Sequence, residues 1–237
     1  IVLNGDDDKL ATVDGYHGVK PVFFGLDAKH DVYADQIVSR GLKGVSCRIH
    51  MGEDAFDVLV PTPGIHTVYN ALAAAAVGRI YGLTIEEIKR GIESLETIRG
   101  RFKMIETENF LVVDDCYNAN PMSMKASLDV LHDGEGRRVA ILGDMGELGE
   151  NEISLHEEVG EHAAKCGIDV CICVGELSSH IAEAARKADP DFEVHYEKDR
   201  ESLLKKLGGY VHKGDTILVK ASHFMKFEEV VDALEKM

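Results

Sequence analysis

From about residue 98 onward, short β-rich runs alternate with amphipathic stretches, and this alternation constrains the fold more than any other feature. Strands are expected at 110–114, 138–142, 170–174, 194–196 and 216–219, with helices at 123–131, 152–165, 179–187, 200–207 and 227–235. Such a series makes strand–helix–strand units, hence a mostly parallel sheet with helices on both faces. The first ninety-odd residues have another texture. Strand-like runs at 21–25, 31–38, 45–49 and 55–60 are separated by glycine-bearing turns, and Pro61-Thr62-Pro63-Gly64 ends them. Proline offers no ladder donor, so a strand stops there. An alanine-rich helix is expected at 67–81. A second follows, capped by Thr84 with Glu87 three residues on, and runs to about Leu95. The boundary between the two textures falls near residues 96–100. The opening Ile1-Val2-Leu3-Asn4-Gly5-Asp6 reads as strand then loop, as though a domain were entered partway.

Length and charge narrow the function. The 237 residues suffice for one large domain or two small ones, at roughly 150 per domain. Lys and Arg number 26 against 42 Asp and Glu, a net charge of −16, so most of the surface would repel a nucleic acid. The longest unbroken aliphatic run, residues 71–77, is far short of the ~18 residues of a membrane-spanning helix. Cys47, Cys116, Cys166, Cys171 and Cys173 show no C-x-x-C spacing and no zinc pattern, so reduced thiols and a cytoplasmic setting are expected.

Parallel α/β sheets bind ligands beyond the carboxyl ends of their strands, which puts three loops first. Asp114-Asp115-Cys116-Tyr117-Asn118-Ala119-Asn120-Pro121 brings carboxylates, amides and a phenol together before a helix start. Carboxylates can accept sugar hydroxyls and amides can donate and accept, but the same residue types also make turns and helix caps. In Gly143-Asp144-Met145-Gly146-Glu147-Leu148-Gly149 the glycines stand at i, i+3 and i+6, not in the G-x-G-x-x-G dinucleotide spacing. Close backbone approach with Asp144 and Glu147 suits a polar substrate; a plain glycine-rich turn fits too. Val219-Lys220-Ala221-Ser222-His223 sets a lysine and a hydroxyl at the last strand end, either to receive an anion or simply in solvent. Gly100-Arg101 offers a guanidinium shaped to fork onto phosphate.

Other residues read as structural. Cys171 and Cys173 share one face of a buried strand. His156 and His162, six apart on one helix, do not share a face for a metal. Phe224, Met225 and Phe227 look like packing residues. Asp6-Asp7-Asp8 reads as a solvated acidic run, with contact to magnesium as the alternative.

Taken in order, several segments resemble the Mur ligase family, the ATP-dependent amide ligases of peptidoglycan precursor synthesis. His66-Thr67-Val68-Tyr69-Asn70-Ala71-Leu72-Ala73-Ala74 is similar to the family's H-N-x-x-N-x-x-A-A helix, and Gly100-Arg101 to its interdomain G/H-R. The 114–121 and 143–149 segments resemble D-D-S-Y-N-A-N-P and G-D-M-x-E-L-G of the member that adds a dipeptide. Val2-Leu3-Asn4-Gly5-Asp6-Asp7 is similar to that member's N-x-D-D strand end. The departures are Thr67 for the first asparagine, Cys116 for serine, and Ala221 and His223 within K-G-S-R. No G-x-x-G-K-T/S phosphate loop occurs in these residues.

The resemblance implies an α/β chain whose residues 1–97 are the later part of a central ATPase domain. Residues 98–237 would then be a Rossmann-like C-terminal domain with a mostly parallel sheet. It implies ATP and Mg2+, with the magnesium ligands mostly outside these residues, and UDP-N-acetylmuramoyl-tripeptide and D-alanyl-D-alanine as substrates. Reaction would pass through an acyl phosphate. Asn70, beside His66, would meet adenine, Arg101 the phosphates and Asp115 the ribose. Tyr117, Asn118, Asn120, Asp144, Glu147, Lys220 and Ser222 would face the cleft and the acceptor. A cytoplasmic monomer is expected, inactive without the phosphate loop. The rival readings are a sister ligase adding one amino acid and a binding module without catalysis.

Overall fold

Strand β4 (Val45–Met51) alternates buried Val45, Cys47, Ile49 and Met51 with partly exposed Ser46, Arg48 and His50, and it sets the geometry of the first unit. The computed structural model describes residues 1–237, which divide into two units, Ile1–Glu96 and Thr97–Met237. In the first, β1 (Val2–Asn4), β2 (Val22–Gly25), β3 (Val32–Ser39), β4 and β5 (Asp54–Val60) form a sheet in sequence order. β1, β2 and β3 run parallel, whereas β3, β4 and β5 form an antiparallel meander. Helices α1 (His66–Ile80) and α2 (Ile85–Glu93) cover one face, with Val68, Leu72, Ala75, Ile88 and Ile92 against Ile49, Phe56 and Val58. Thr84 and Glu87 form the expected reciprocal cap on α2.

The second unit carries β6 (Lys103–Glu106), β7 (Leu111–Asp114), α3 (Pro121–His132), β8 (Arg138–Gly143) and α4 (Glu152–Lys165). There follow β9 (Val170–Val174), α5 (Ser178–Ala188), β10 (Glu193–Glu197), α6 (Arg200–Tyr210), β11 (Thr216–Lys220) and α7 (Glu228–Glu235). Spatial order is β10-β9-β8-β11-β7-β6, parallel throughout except for β6 against β7. β9 and β11 are buried along their whole length, as strands covered on both faces must be. Leu203, Leu207, Val230 and Leu234 pack on the side of Ile141, Ile172 and Val219. Cys171 and Cys173 share a face as the sequence indicates, their Sγ atoms 3.6 Å apart.

The edge strand β6 is the element the sequence reading lacks. Lys103-Met104-Ile105-Glu106 shows neither alternation nor a β-branched run, and its pairing with β7 supplies the order instead. The late insertion of β11 between β8 and β7 has the larger consequence. It makes the loops after β7, β8 and β11 neighbours at one end of the sheet, the usual ligand position in such folds.

Candidate functional site

Register places Lys220 beside Asp115. Val219 pairs with Asp114, so Lys220, the last residue of β11, comes alongside Asp115, the first residue after β7. Lys220 Nζ lies 2.6 Å from Asp115 Oδ2 and 3.1 Å from the Asn118 carbonyl oxygen, with 2% of the residue exposed. Ser127 Oγ of α3 lies 2.8 Å from the same carboxylate oxygen, and the Phe102 amide donates to Oδ1 at 3.2 Å. The solvated reading of Lys220 is therefore corrected. A buried ammonium needs a carboxylate and a carbonyl, and those residues hold it inside.

Ser222 ties the three loops together. Its Oγ accepts the Gly146 amide at 2.8 Å and donates toward the Ala119 carbonyl at 3.4 Å, while its own amide donates to Asp144 O at 3.1 Å. Asp144 Oδ1 accepts both the amide and the hydroxyl of Ser178 at 2.7 Å, capping the start of α5. Asn120 caps α3, Oδ1 accepting the Ser123 amide at 2.8 Å and the Ser123 hydroxyl accepting the Asn120 amide at 3.1 Å. Asp144, Asn120, Lys220 and Ser222 thus make their recorded polar contacts to their own chain. Asn118, exposed, turns its Oδ1 to the next amide, Ala119 N, at 2.9 Å.

Gly143 and Gly146 of the 143–149 loop also serve the chain itself. A Cβ on Gly143 would stand 2.6 Å from the Ala221 side chain, and one on Gly146 2.9 Å from Phe224. The close approach they permit is to the loop after β11.

What faces outward is a different set. Arg101 is exposed, and its guanidinium lies 4.1 Å above the Tyr117 ring centroid, within cation–π reach. Tyr117 is half exposed and lies 5.5 Å from the His223 ring. Glu147 is exposed, and its backbone is left-handed with φ 61°. Gly100, at φ 79°, brings its carbonyl to the Tyr117 amide at 2.9 Å; a side chain there would press on Tyr117. The Gly100 amide meanwhile donates to Asp114 Oδ2 at 2.8 Å, and the Cys116 thiol donates to Oδ1 at 3.0 Å. Burial, then the Asp114 contact, pushes that thiol well above the usual range.

In the first unit His66 and Asn70 stand four apart on α1, on one exposed face. Thr67, the departure from the motif's asparagine, turns inward, its hydroxyl within 2.8 Å of Thr62 O and 2.7 Å of Gly64 O. The acidic run is not simply solvated. Asp6 binds the Leu26 amide, the Tyr69 hydroxyl and His30 at 2.7, 3.0 and 2.7 Å, and Asp7 caps a short turn through the Lys9 and Leu10 amides. No cluster of three His, Cys, Asp or Glu side chains is placed to hold a metal ion, and no helix is long and apolar enough to cross a membrane.

Sequence reasoning missed His156. The sequence raises it only as a metal ligand, yet it is fully buried and bonded to the 143–149 loop. Nothing in the sequence marks this, because the partner is a backbone amide.

An open α/β sheet with three interlocked loops at its carboxyl end, together with a strand-rich unit whose helix exposes His66 and Asn70, defines a two-unit α/β chain. The comparisons with known proteins identify its kind. The Mur ligase middle domain matches residues 1–78, and the Mur ligase glutamate ligase domain matches residues 100–223. The chain belongs to the Mur ligase family. It is 34% identical over 239 residues to the UDP-N-acetylmuramoyl-tripeptide–D-alanyl-D-alanine ligase of Escherichia coli K12, covering 99% of this chain and 52% of that protein. The Bacillus subtilis enzyme of the same name is 37% identical over 215 residues, 86% of this chain and 45% of its own length. A crystal structure of MurF from Acinetobacter baumannii superposes with a TM-score of 0.88 at 27% identity, covering 100% of this chain and 52% of that one. MurF ligase from Thermotoga maritima, solved in complex with ADP, gives 0.78 at 27% identity, covering 99% and 52%. The chain spans about half the length of the curated relatives it matches.

Proposed function

We propose that these residues are the nucleotide- and acceptor-binding half of an ATP-dependent ligase joining D-alanyl-D-alanine to UDP-N-acetylmuramoyl-tripeptide. The observation that carries the reading is Arg101. Its exposed guanidinium lies 4.1 Å above the Tyr117 ring centroid and forms no ion pair, in a chain with 42 acidic residues. A planar donor fork left without a carboxylate suits phosphate oxygens. Residues 1–97 are assigned to the later part of the central ATPase domain and 98–237 to the C-terminal domain.

ATP is a substrate of this reaction. Asn70, with His66 on the same helix face, is assigned to adenine, Arg101 to the phosphates and Asp115 to the ribose. Asp115 fits that role through Oδ1, which has one recorded donor, the Phe102 amide, and so retains a lone pair for a hydroxyl. Magnesium does not fit these residues, which offer it no ligand cluster, and no step here is assigned to it.

In the reaction the tripeptide carboxylate takes the γ-phosphoryl group and ADP leaves. The dipeptide amine then attacks the acyl carbon, and inorganic phosphate departs as the amide forms. This chemistry depends on positioning and on neutralising phosphate charge. Arg101 supplies charge, the Lys220–Asp115 pair fixes the ribose acceptor, and Tyr117 and Glu147 are the outward side chains assigned to the dipeptide. Lys220, Ser222, Asp144 and Asn120 support the loops from within. The setting is the cytoplasm, and the chain acts as a monomer.

No glycine-rich phosphate loop occurs in the 237 residues, so nothing in them cradles the β- and γ-phosphates. The isolated chain is expected to bind nucleotide weakly and to turn nothing over. The test measures phosphate release with ATP, magnesium, the UDP-linked tripeptide and D-alanyl-D-alanine, for the 237 residues alone and joined to the upstream half. Activity of the joined protein that requires the dipeptide and is lost in Arg101→Ala supports the reading. A preference for a single amino acid over the dipeptide replaces it with the sister reaction.

A further inference from the structure

We propose that His156 is a positioning residue that fixes the 143–149 loop, and with it Glu147, for the acceptor amine. The assignment of that loop to the acceptor rests on the ligase reading above. His156 lies within α4 with no exposed surface. Its Nδ1 is 2.6 Å from the Glu152 carbonyl oxygen, and its Nε2 accepts the Met145 amide at 3.0 Å. A carbonyl can only accept and an amide can only donate, so the two partners dictate the ring's state. Nδ1 carries the proton, Nε2 carries the lone pair, and the imidazole is neutral.

The next amide is held from the other side. Gly146 N–H goes to Ser222 Oγ at 2.8 Å, so two successive loop amides are fixed by side chains from α4 and from the loop after β11. The Met145 side chain is itself fully buried and anchors the same point. Directly after these three anchors the backbone enters the left-handed region at Glu147, φ 61°, and the glutamate emerges exposed. A non-glycine residue holds that conformation only where its surroundings impose it. His156 and Ser222 impose it here, and the exposed Glu147 side chain thereby leaves the loop from a fixed backbone position, where an ammonium can meet it. Without the Nε2 acceptor, a buried amide loses its partner and the turn is free to relax.

Three measurements decide the matter. Long-range proton–nitrogen spectra of the 237-residue chain should show Nδ1 protonated and Nε2 bare at His156; the opposite tautomer or an averaged ring overturns the anchor. Amide exchange at Met145, Gly146 and Glu147 should quicken in His156→Leu and stay slow in His156→Gln, whose carbonyl oxygen can replace Nε2. Equal protection in both variants overturns it as well. In the ligase joined to its upstream half, His156→Leu should raise the KM for D-alanyl-D-alanine on the order of tenfold or more, with the KM for ATP unchanged. His156→Gln should restore most of that loss. Parallel rises in both KM values, or failure of Gln to rescue while the fold is intact, would mean a merely structural histidine. If the wild-type ligase is inactive with the dipeptide, the ligase reading and the acceptor role fail together. The ring and exchange measurements then still decide whether His156 fixes the loop.

Discussion

Lys220 reaches Asp115 Oδ2 at 2.6 Å from a position only 2% exposed, whereas the Asp115 side chain keeps 16% of its surface. The pair is therefore unequal. Asp115→Ala would leave a buried ammonium with the Asn118 carbonyl alone, at a cost of about 3–5 kcal/mol. Lys220→Met leaves a carboxylate that still has Ser127, the Phe102 amide and some water, and should cost about 1–3 kcal/mol. Urea denaturation of both single variants and the double variant checks this. The double variant should be less damaged than the sum, and equal or reversed single costs would refute the asymmetry.

Asn120 is a cap before it is anything else. Asn120→Ala should lower stability by about 1 kcal/mol through loss of the Ser123 amide bond. Asn118→Ala, which removes only a contact to its own neighbouring amide, should change melting much less. A stability loss at Asn118 matching that at Asn120 would contradict this division.

Much of the second unit is legible in sequence for a physical reason. Strands such as β9 and β11, buried on both faces, are continuous apolar runs, and amphipathic helices separate them. The three loops are legible too, because parallel sheets fix where ligands bind. The use of each polar side chain is not legible. Asp144 and Asn120 carry the same chemistry whether they cap a helix or meet a substrate, and only the position of Ser178 and Ser123 reveals the capping. Lys220 is buried because β11 lies beside β7, an ordering set by tertiary packing. β6 escapes notice because four residues of mixed polarity owe their extended form to a neighbour.

Asp6 gives the first unit an acid-sensitive contact. Burial raises its carboxyl, but bonds from the Leu26 amide, His30 and Tyr69 more than offset this and bring it below its ordinary value of 3.8. A depressed carboxyl contributes stability above its unfolded value, and that contribution is lost as pH falls through the folded one. The stability difference between wild type and Asp6→Asn should thus be flat from neutrality down to about pH 5 and shrink below 3.8. Thermal melts across that range test it; a difference that grows on acidification would reverse the sign.

The cysteines should be inert in the folded chain. Burial pushes Cys47 and Cys166 up to about 11, and the hydrogen bond to Cys173, with burial, raises Cys171 further. A thiol held protonated is a poor nucleophile. Titration with a chromogenic disulfide at pH 8 should find little fast reaction in the native state and five thiols in denaturant. A single fast native thiol would locate an opening of the fold, and mass spectrometry would identify it.

Proteolysis should divide the chain just before Arg99. Gly100 is fixed on both sides, its amide to Asp114 and its carbonyl to the Tyr117 amide, and the Phe102 amide is held by Asp115. Arg99 pairs with Asp232 and Glu235. Residues 99–102 thus belong firmly to the second unit. Leu95 and Ile98, by contrast, are 52% and 65% exposed, the side chains a thermolysin-type protease selects. Cleavage needs a segment able to leave its hydrogen bonds, so the cut belongs at 95–98 and not at Gly100. Limited digestion should release a stable fragment of about 140 residues that begins near residue 98 and resists further cutting. Asp114→Ala, which removes the acceptor for the Gly100 amide, should extend cleavage into 99–102. Early cuts within either unit, with 95–98 left intact, would show that the chain opens elsewhere first.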